Sequence, residues 1–159
     1  MAKFTDVEER VESPSERRVR YFLAVMFFIQ TICTAIPFLQ GPVEVDGKIV
    51  GRTITAFNLL VNPGGYGEIG GIPLALAGGI LVIFPIVAFF FCVLDSKSKA
   101  KFIVSGACAV VCAMVITFGF AAFISIGAVI TLVLNVICLF MSAQGVQATM
   151  MRQRAQAKS

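Results

Sequence analysis

The chain contains no histidine and no tryptophan, and only 14% of its 159 residues are charged. Each shortage excludes something. Without histidine there is no His-ligated zinc site and no Ser-His or Cys-His nucleophile pair. Charged residues make up about 25% of a soluble domain, so 14% does not fit a water-soluble surface. The charged residues are also unevenly placed. None occurs in 21–39, in 72–94 or in 102–143. Proton-coupled pumps and transporters carry an acid inside the membrane, and these runs offer none unless Glu68 dips inward from its loop. Metal-dependent hydrolases and phosphotransferases need acid or histidine clusters, which are likewise missing. The chain has no N-x-S/T sequon, no Gly at position 2 and no C-terminal C-a-a-X, so no glycosylation or lipid anchor is expected. No A-x-A-like site follows the first apolar run, which is expected to stay as a helix rather than be cleaved.

What is there is apolar: 58% of the residues are hydrophobic. A spanning helix needs about 20 apolar residues, and the runs predict an all-α integral membrane protein with four spans at about 21–39, 72–94, 102–119 and 123–143. The last two come from one uncharged run, 102–143. As a single helix it would be about 63 Å long, twice the bilayer core, so a turn is expected near Phe118–Phe123. Residues 1–13 form a polar segment. Ser13, Pro14 and Glu16 have the pattern of a capping box with proline at the first helical position, so the first helix is expected to begin near Pro14. Arg17, Arg18 and Arg20 then fall at the headgroups beside Tyr21.

The 13 Lys and Arg residues mark topology. Five precede the first span, three lie in the loop 95–101 and three in the basic tail 144–159, against two in the loop 40–71 and none in the second hairpin. The positive-inside rule places both termini and the 95–101 loop in the cytoplasm. A cell membrane, plasma or bacterial inner, is the expected location, with the bilayer, other membrane proteins or further copies of the chain as partners. No nucleic-acid partner and no cofactor is expected.

The outer loop 40–71 is the most individual segment. "VEVDGKIV" alternates around Asp46-Gly47, a hairpin signal. In "TITAFNLLV", Thr53 is placed to cap a short helix with Ile54, Phe57, Leu60 and Val61 on one face, a segment expected to lie at the membrane interface or pack on the bundle. "NPGGYGEIGGIP" follows, and its Gly65, Gly67 and Gly70 match G-x-G-x-x-G. That fingerprint requires a preceding buried strand, a soluble helix after it and an acid about twenty residues on. Here the glycines lead into Pro73 and a membrane span, so the match is read as a turn that hands the chain to that span. Outer-loop contacts with a partner would fall to Glu44, Asp46 and Lys48, and above all to Arg52, Tyr66 and Glu68.

Within the spans, seven neutral polar residues stand out: Gln30, Thr31, Thr34, Thr117, Ser125, Thr131 and Asn135. Gln30 and Thr34 share a helical face, and Gln30 and Asn135 lie at depths that allow them to meet. They are read as helix-to-helix glue or as a polar path for a solute. Pro85 falls mid-span, where it withholds an N–H from the Leu81 carbonyl. Small residues recur every fourth position at Gly71, Ala75 and Gly79 and at Ser105, Ala109 and Ala113, a spacing that lets helices approach closely.

The five cysteines, Cys33, Cys92, Cys108, Cys112 and Cys138, all lie in spans. The helix count resembles that of membrane oxidoreductases that form disulfides and reduce quinones. Their C-x-x-C pair and loop cysteines are missing here, so packing thiols are expected. Cys92, near the cytoplasmic edge, is the one candidate for S-acylation. A longer first outer loop with strand character and a short second one also resembles the layout of claudin-type tetraspans. The tryptophan-containing motif and paired loop cysteines of that family are absent, so no membership follows. The expected function is that of a non-catalytic subunit, scaffold or regulator of a membrane complex. A small oligomeric transporter or channel using Gln30, Thr34 and Asn135 is the alternative, and a thiol-redox enzyme comes third.

Overall fold

The computed structural model describes residues 12–40, 42–45, 47–51, 53–61, 68–69, 72–95, 98–120 and 124–156. In chain order the elements are α1 (Pro14–Cys33), β1 (Pro37–Leu39), β2 (Pro42–Val45), β3 (Lys48–Gly51), β4 (Ile54–Thr55), α2 (Ala56–Val61), β5 (Glu68–Ile69), β6 (Ile72–Pro73), α3 (Leu74–Leu94), α4 (Ala100–Met114) with a π-helical turn (Val115–Gly119), and α5 (Ile126–Gln156). Among the described residues three helical stretches are long and apolar enough to cross a membrane: Leu74–Leu94, Ala100–Gly119 and Ile126–Arg152. The first helix, with Glu16, Arg17, Arg18 and Arg20 in its opening turns, is not among them.

Helix α1 begins as the capping box dictates. Glu16 N donates to Ser13 Oγ at 3.3 Å, and Ser13 N donates to Glu16 Oε2 at 3.0 Å. Its end differs from the expected run to Leu39. The helix stops at Cys33, and Pro37–Leu39 instead forms β1. Pro37 has no N–H for a helical bond, while the strand pairs with β4 and Ser125 N donates to the Phe38 carbonyl at 3.1 Å.

On every long helix the buried residues recur at alternating spacings of three and four. On α1 they include Glu16, Arg20, Leu23, Phe27 and Gln30; on α3, Leu74, Gly78, Leu81, Pro85, Ala88 and Cys92. On α4 they include Lys101, Ser105, Cys108 and Cys112, and on α5 Ala128, Thr131, Asn135, Cys138, Ser142, Gly145 and Thr149. This 3.5-residue period keeps one seam of each helix against its neighbours. Helix α1 packs on α3 and α5, α3 on α4, and α4 on α5. The start of α1, the end of α3, the start of α4 and the end of α5 share one end of the molecule, here called the terminal end; α2 and the strands cover the other, the loop end.

The fully buried positions of α5 are all small or polar; Leu132, Met141 and Val146 are half-buried against the cores, and Val129, Val133, Val136, Leu139 and Phe140 point outward. Close approach explains why. A Cβ on Gly145 would stand 2.5 Å from the Phe102 ring, and one on Gly127 2.6 Å from the Pro37 carbonyl oxygen. Helix α5 also runs on to Gln156, so most of the expected tail is helical.

The expected hairpin at Asp46-Gly47 is present: Val45 pairs with Lys48, and Gly47 has φ of 73°. Two strand pairs were not foreseen. Strand β1 pairs with β4, and β5 pairs with β6 through Ile69 and Ile72. Of the glycine-rich strip, the described residues are therefore a short antiparallel pair, and Pro73 ends β6 as the residue before α3 rather than its first helical position. Helix α2 is capped by Thr55, not Thr53: Asn58 N donates to Thr55 Oγ1 at 3.1 Å. Its inward residues are Ala56 and Leu59, while Phe57 and Val61 face out.

Candidate functional site

The seams of α1 and α5 cross where Gln30 Nε2 donates to Asn135 Oδ1 at 3.1 Å, 105 residues apart in sequence. Both side chains are fully enclosed, at 0% and 1% exposure. The bond uses one donor and one acceptor of the two amides. Gln30 Oε1 and Asn135 Nδ2 are left without a hydrogen-bond partner, as are Thr131 Oγ1 one turn earlier on α5 and Ser142 Oγ two turns later. Thr34 does not join the pair, since its hydroxyl donates to the Thr31 carbonyl at 2.7 Å. Thr31 Oγ1 likewise donates within its helix, to the Phe27 carbonyl at 2.9 Å. The pair can donate and accept hydrogen bonds, but it supplies no nucleophile and no general base.

The second constellation closes the terminal end. Arg20 Nε donates to both carboxylate oxygens of Glu12 at 3.0 and 3.1 Å, and Nη1 donates to the Cys92 carbonyl at 3.0 Å and the Val93 carbonyl at 3.4 Å. Those carbonyls belong to the last turn of α3, where no further helical N–H reaches them and the helix dipole favours a cation. Lys101 Nζ, in the first turn of α4, donates to Glu12 Oε1 at 2.7 Å. Arg152 of α5 lies 3.6 Å from Glu16 Oε2. Glu16, Arg20 and Lys101 are each under 10% exposed. Arg20 also stacks 4.7 Å from the centre of the Tyr21 ring.

The sequence reading left Glu12 and Lys101 out and set Arg20 among the headgroup arginines. The signal was present. Glu16, Arg20, Leu23, Phe27 and Gln30 keep the same three-and-four spacing, so Arg20 turns inward while Arg17 and Arg18 are exposed. Glu12 precedes the helix, and no periodicity reaches it.

All five cysteines are buried and free. Cys92 Sγ lies 3.1 Å from Ser105 Oγ, and Cys112 Sγ donates to the Ile80 carbonyl at 3.8 Å. Cys92 is fully enclosed, which removes it as an S-acylation candidate in this conformation. Among the described residues no group of three or more His, Cys, Asp or Glu is placed to hold a metal ion.

Of the outer-loop candidates, Arg52, Tyr66 and Asp46 lie outside the described residues. Glu44 and Glu68 are described in backbone only, in β2 and β5, and Lys48 is exposed at the start of β3. No family model, curated protein or solved structure matches this chain.

Proposed function

We propose that the chain is a four-span membrane protein, with α1 as the first crossing and both termini in the cytoplasm of a plasma or bacterial inner membrane. It acts as a non-catalytic subunit, scaffold or regulator of a membrane complex. The observation that carries the reading is the polarity of α5. Its fully buried positions are small or polar and closely met by its neighbours, while Val129, Val133, Val136, Leu139 and Phe140 face outward. A helix of this kind offers its surface to lipid or to another membrane protein, not to a solute. Arg52, Tyr66 and Glu68 are the proposed contacts for a partner reaching the outer loop. Mild crosslinking in native membranes followed by purification is expected to retain a different protein in stoichiometric amount. A clean homo-oligomer would overturn the reading.

A second reading, a small oligomeric transporter or channel, is favoured by the unpartnered Gln30 Oε1, Asn135 Nδ2 and Thr131 Oγ1. A buried unpaired polar atom costs about 1–3 kcal/mol, and a polar path would give these atoms partners. Liposomes holding the protein would then pass a solute, and Asn135→Leu would abolish the flux.

A further inference from the structure

We infer that α2 and the strands beside it are immersed in the bilayer, so that the outward face of α2, Phe57 and Val61, contacts acyl chains of the leaflet opposite the termini. The inference rests on the membrane reading above and adds to it. The segment expected as an outer cap becomes part of the lipid-facing surface.

Depth is the first argument. Helix α3 has 21 residues, so it rises about 31 Å and matches the hydrocarbon core from end to end. Helix α2 does not sit above it. A Cβ on Gly78, the fifth residue of α3, would stand 2.5 Å from Leu59 Cβ and 2.9 Å from the Leu60 nitrogen. That contact lies about 6 Å below the first residue of α3 along its axis. Leu59 is fully buried in one cluster with Leu81, Cys112 and Ile116.

The first crossing gives a second argument. The apolar part of α1, from Tyr21 to Cys33, rises only about 20 Å, short of the roughly 30 Å core. The rest of that apolar run, Thr34–Leu39, is a turn followed by β1. The layer formed by β1, β4 and α2 therefore begins inside the core.

Backbone satisfaction is the third. Irregular backbone survives at membrane depth only where protein groups replace water. The leading N–H groups of α2 meet that condition: Phe57 N donates to the Thr34 carbonyl at 3.2 Å, and Asn58 N to Thr55 Oγ1 at 3.1 Å. Phe38, Leu39 and Ile54 are each at most 1% exposed. Against this, Phe57 and Val61, one turn apart on the outer face, are 51% and 63% exposed. Leu76 and Ile83 of α3 are exposed as well, and acyl chains are an occupant that covers apolar side chains on both helices.

The chain has no tryptophan, so a single introduced indole reports without background. Phe57→Trp and, separately, Val61→Trp would be reconstituted in phosphatidylcholine vesicles at high lipid-to-protein ratio. Val133→Trp on the outward face of α5 and Lys48→Trp in the β2–β3 hairpin serve as references. Expected is short-wavelength emission from residue 57 or 61, quenched several-fold more by acyl-brominated lipid than by aqueous iodide, with Val133→Trp behaving alike and Lys48→Trp the reverse. If Val133→Trp responds to bromolipid while 57 and 61 respond to iodide, the inference fails and the membrane reading stands. If Val133→Trp also responds only to iodide, the membrane reading fails and the inference with it. Protection of 57 and 61 from both quenchers would show a second copy covering α2, and also overturns the proposal.

Discussion

Lys101 Nζ lies 2.7 Å from Glu12 Oε1, across 89 residues of sequence, and the same carboxylate holds Arg20. Glu12, ahead of the first helix, thereby pairs with two buried cations, one of which caps the last turn of α3. The terminal end holds an ionic junction to which the N-terminal side of the chain contributes Glu12 and Glu16.

Breaking a buried ion pair by removing one partner costs about 3–5 kcal/mol. Glu12→Gln, which takes a carboxylate away from both Arg20 and Lys101, is expected to lower the thermal unfolding midpoint in detergent, followed by helical circular dichroism. Pairing it with Lys101→Met should restore part of the loss, because the second change removes one of the two cations that faced Glu12. A wild-type midpoint for Glu12→Gln would show that the junction carries no stability.

The amide pair should show smaller coupling. Interhelical polar bonds in membranes average about 0.6 kcal/mol by double-mutant cycle. Gln30→Leu and Asn135→Leu each strand the other amide, so the double variant is expected to be less destabilised than the sum of the singles by about that amount. Strict additivity in reversible unfolding would mean that the bond contributes nothing.

Two neighbouring glycines of α3 should behave differently. Gly78→Ala places its methyl 2.5 Å from Leu59 Cβ and 2.9 Å from α2 backbone, whereas Gly79→Ala meets only Leu60 Cδ1 at 3.8 Å. Overpacking costs about 1–3 kcal/mol, so Gly78→Ala should loosen α2 and destabilise, and Gly79→Ala should be close to neutral. Proteolysis at the outer loop, alongside unfolding, reads both effects.

The proposed topology predicts sidedness. In a cysteine-free background, Ser98→Cys should react with an impermeant maleimide only from the side that bears both termini, and Lys48→Cys only from the other. Both sites are exposed. Labelling of both from one side would exclude four crossings.

Much of the architecture was legible because membrane helices are written in long uncharged runs. The α1 capping box, the Asp46-Gly47 hairpin and the turn between α4 and α5 were read from local chemistry, and each lies close to where it was expected. The end of α1 was not, because Thr34–Leu39 is as apolar as the helix before it and hydropathy does not distinguish a helix from a buried strand. Which face of α2 turns inward was left open for a related reason: in a lipid setting an exposed Phe57 and a buried Leu59 are equally apolar. The meeting of Gln30 with Asn135 could be proposed from depth alone. The junction at Glu12 could not, since a charged residue before a membrane helix reads equally well as solvated.

By itself, then, the sequence determined which segments are long and apolar, and it excluded histidine chemistry, because composition and period are local properties of the chain. Only the tertiary structure decided which face of each helix turns inward, that β1 and β4 complete the loop end, and that Glu12 joins Arg20 and Lys101. Those outcomes depend on distances between residues far apart in the chain, where packing against glycine and the pairing of buried charge select one arrangement.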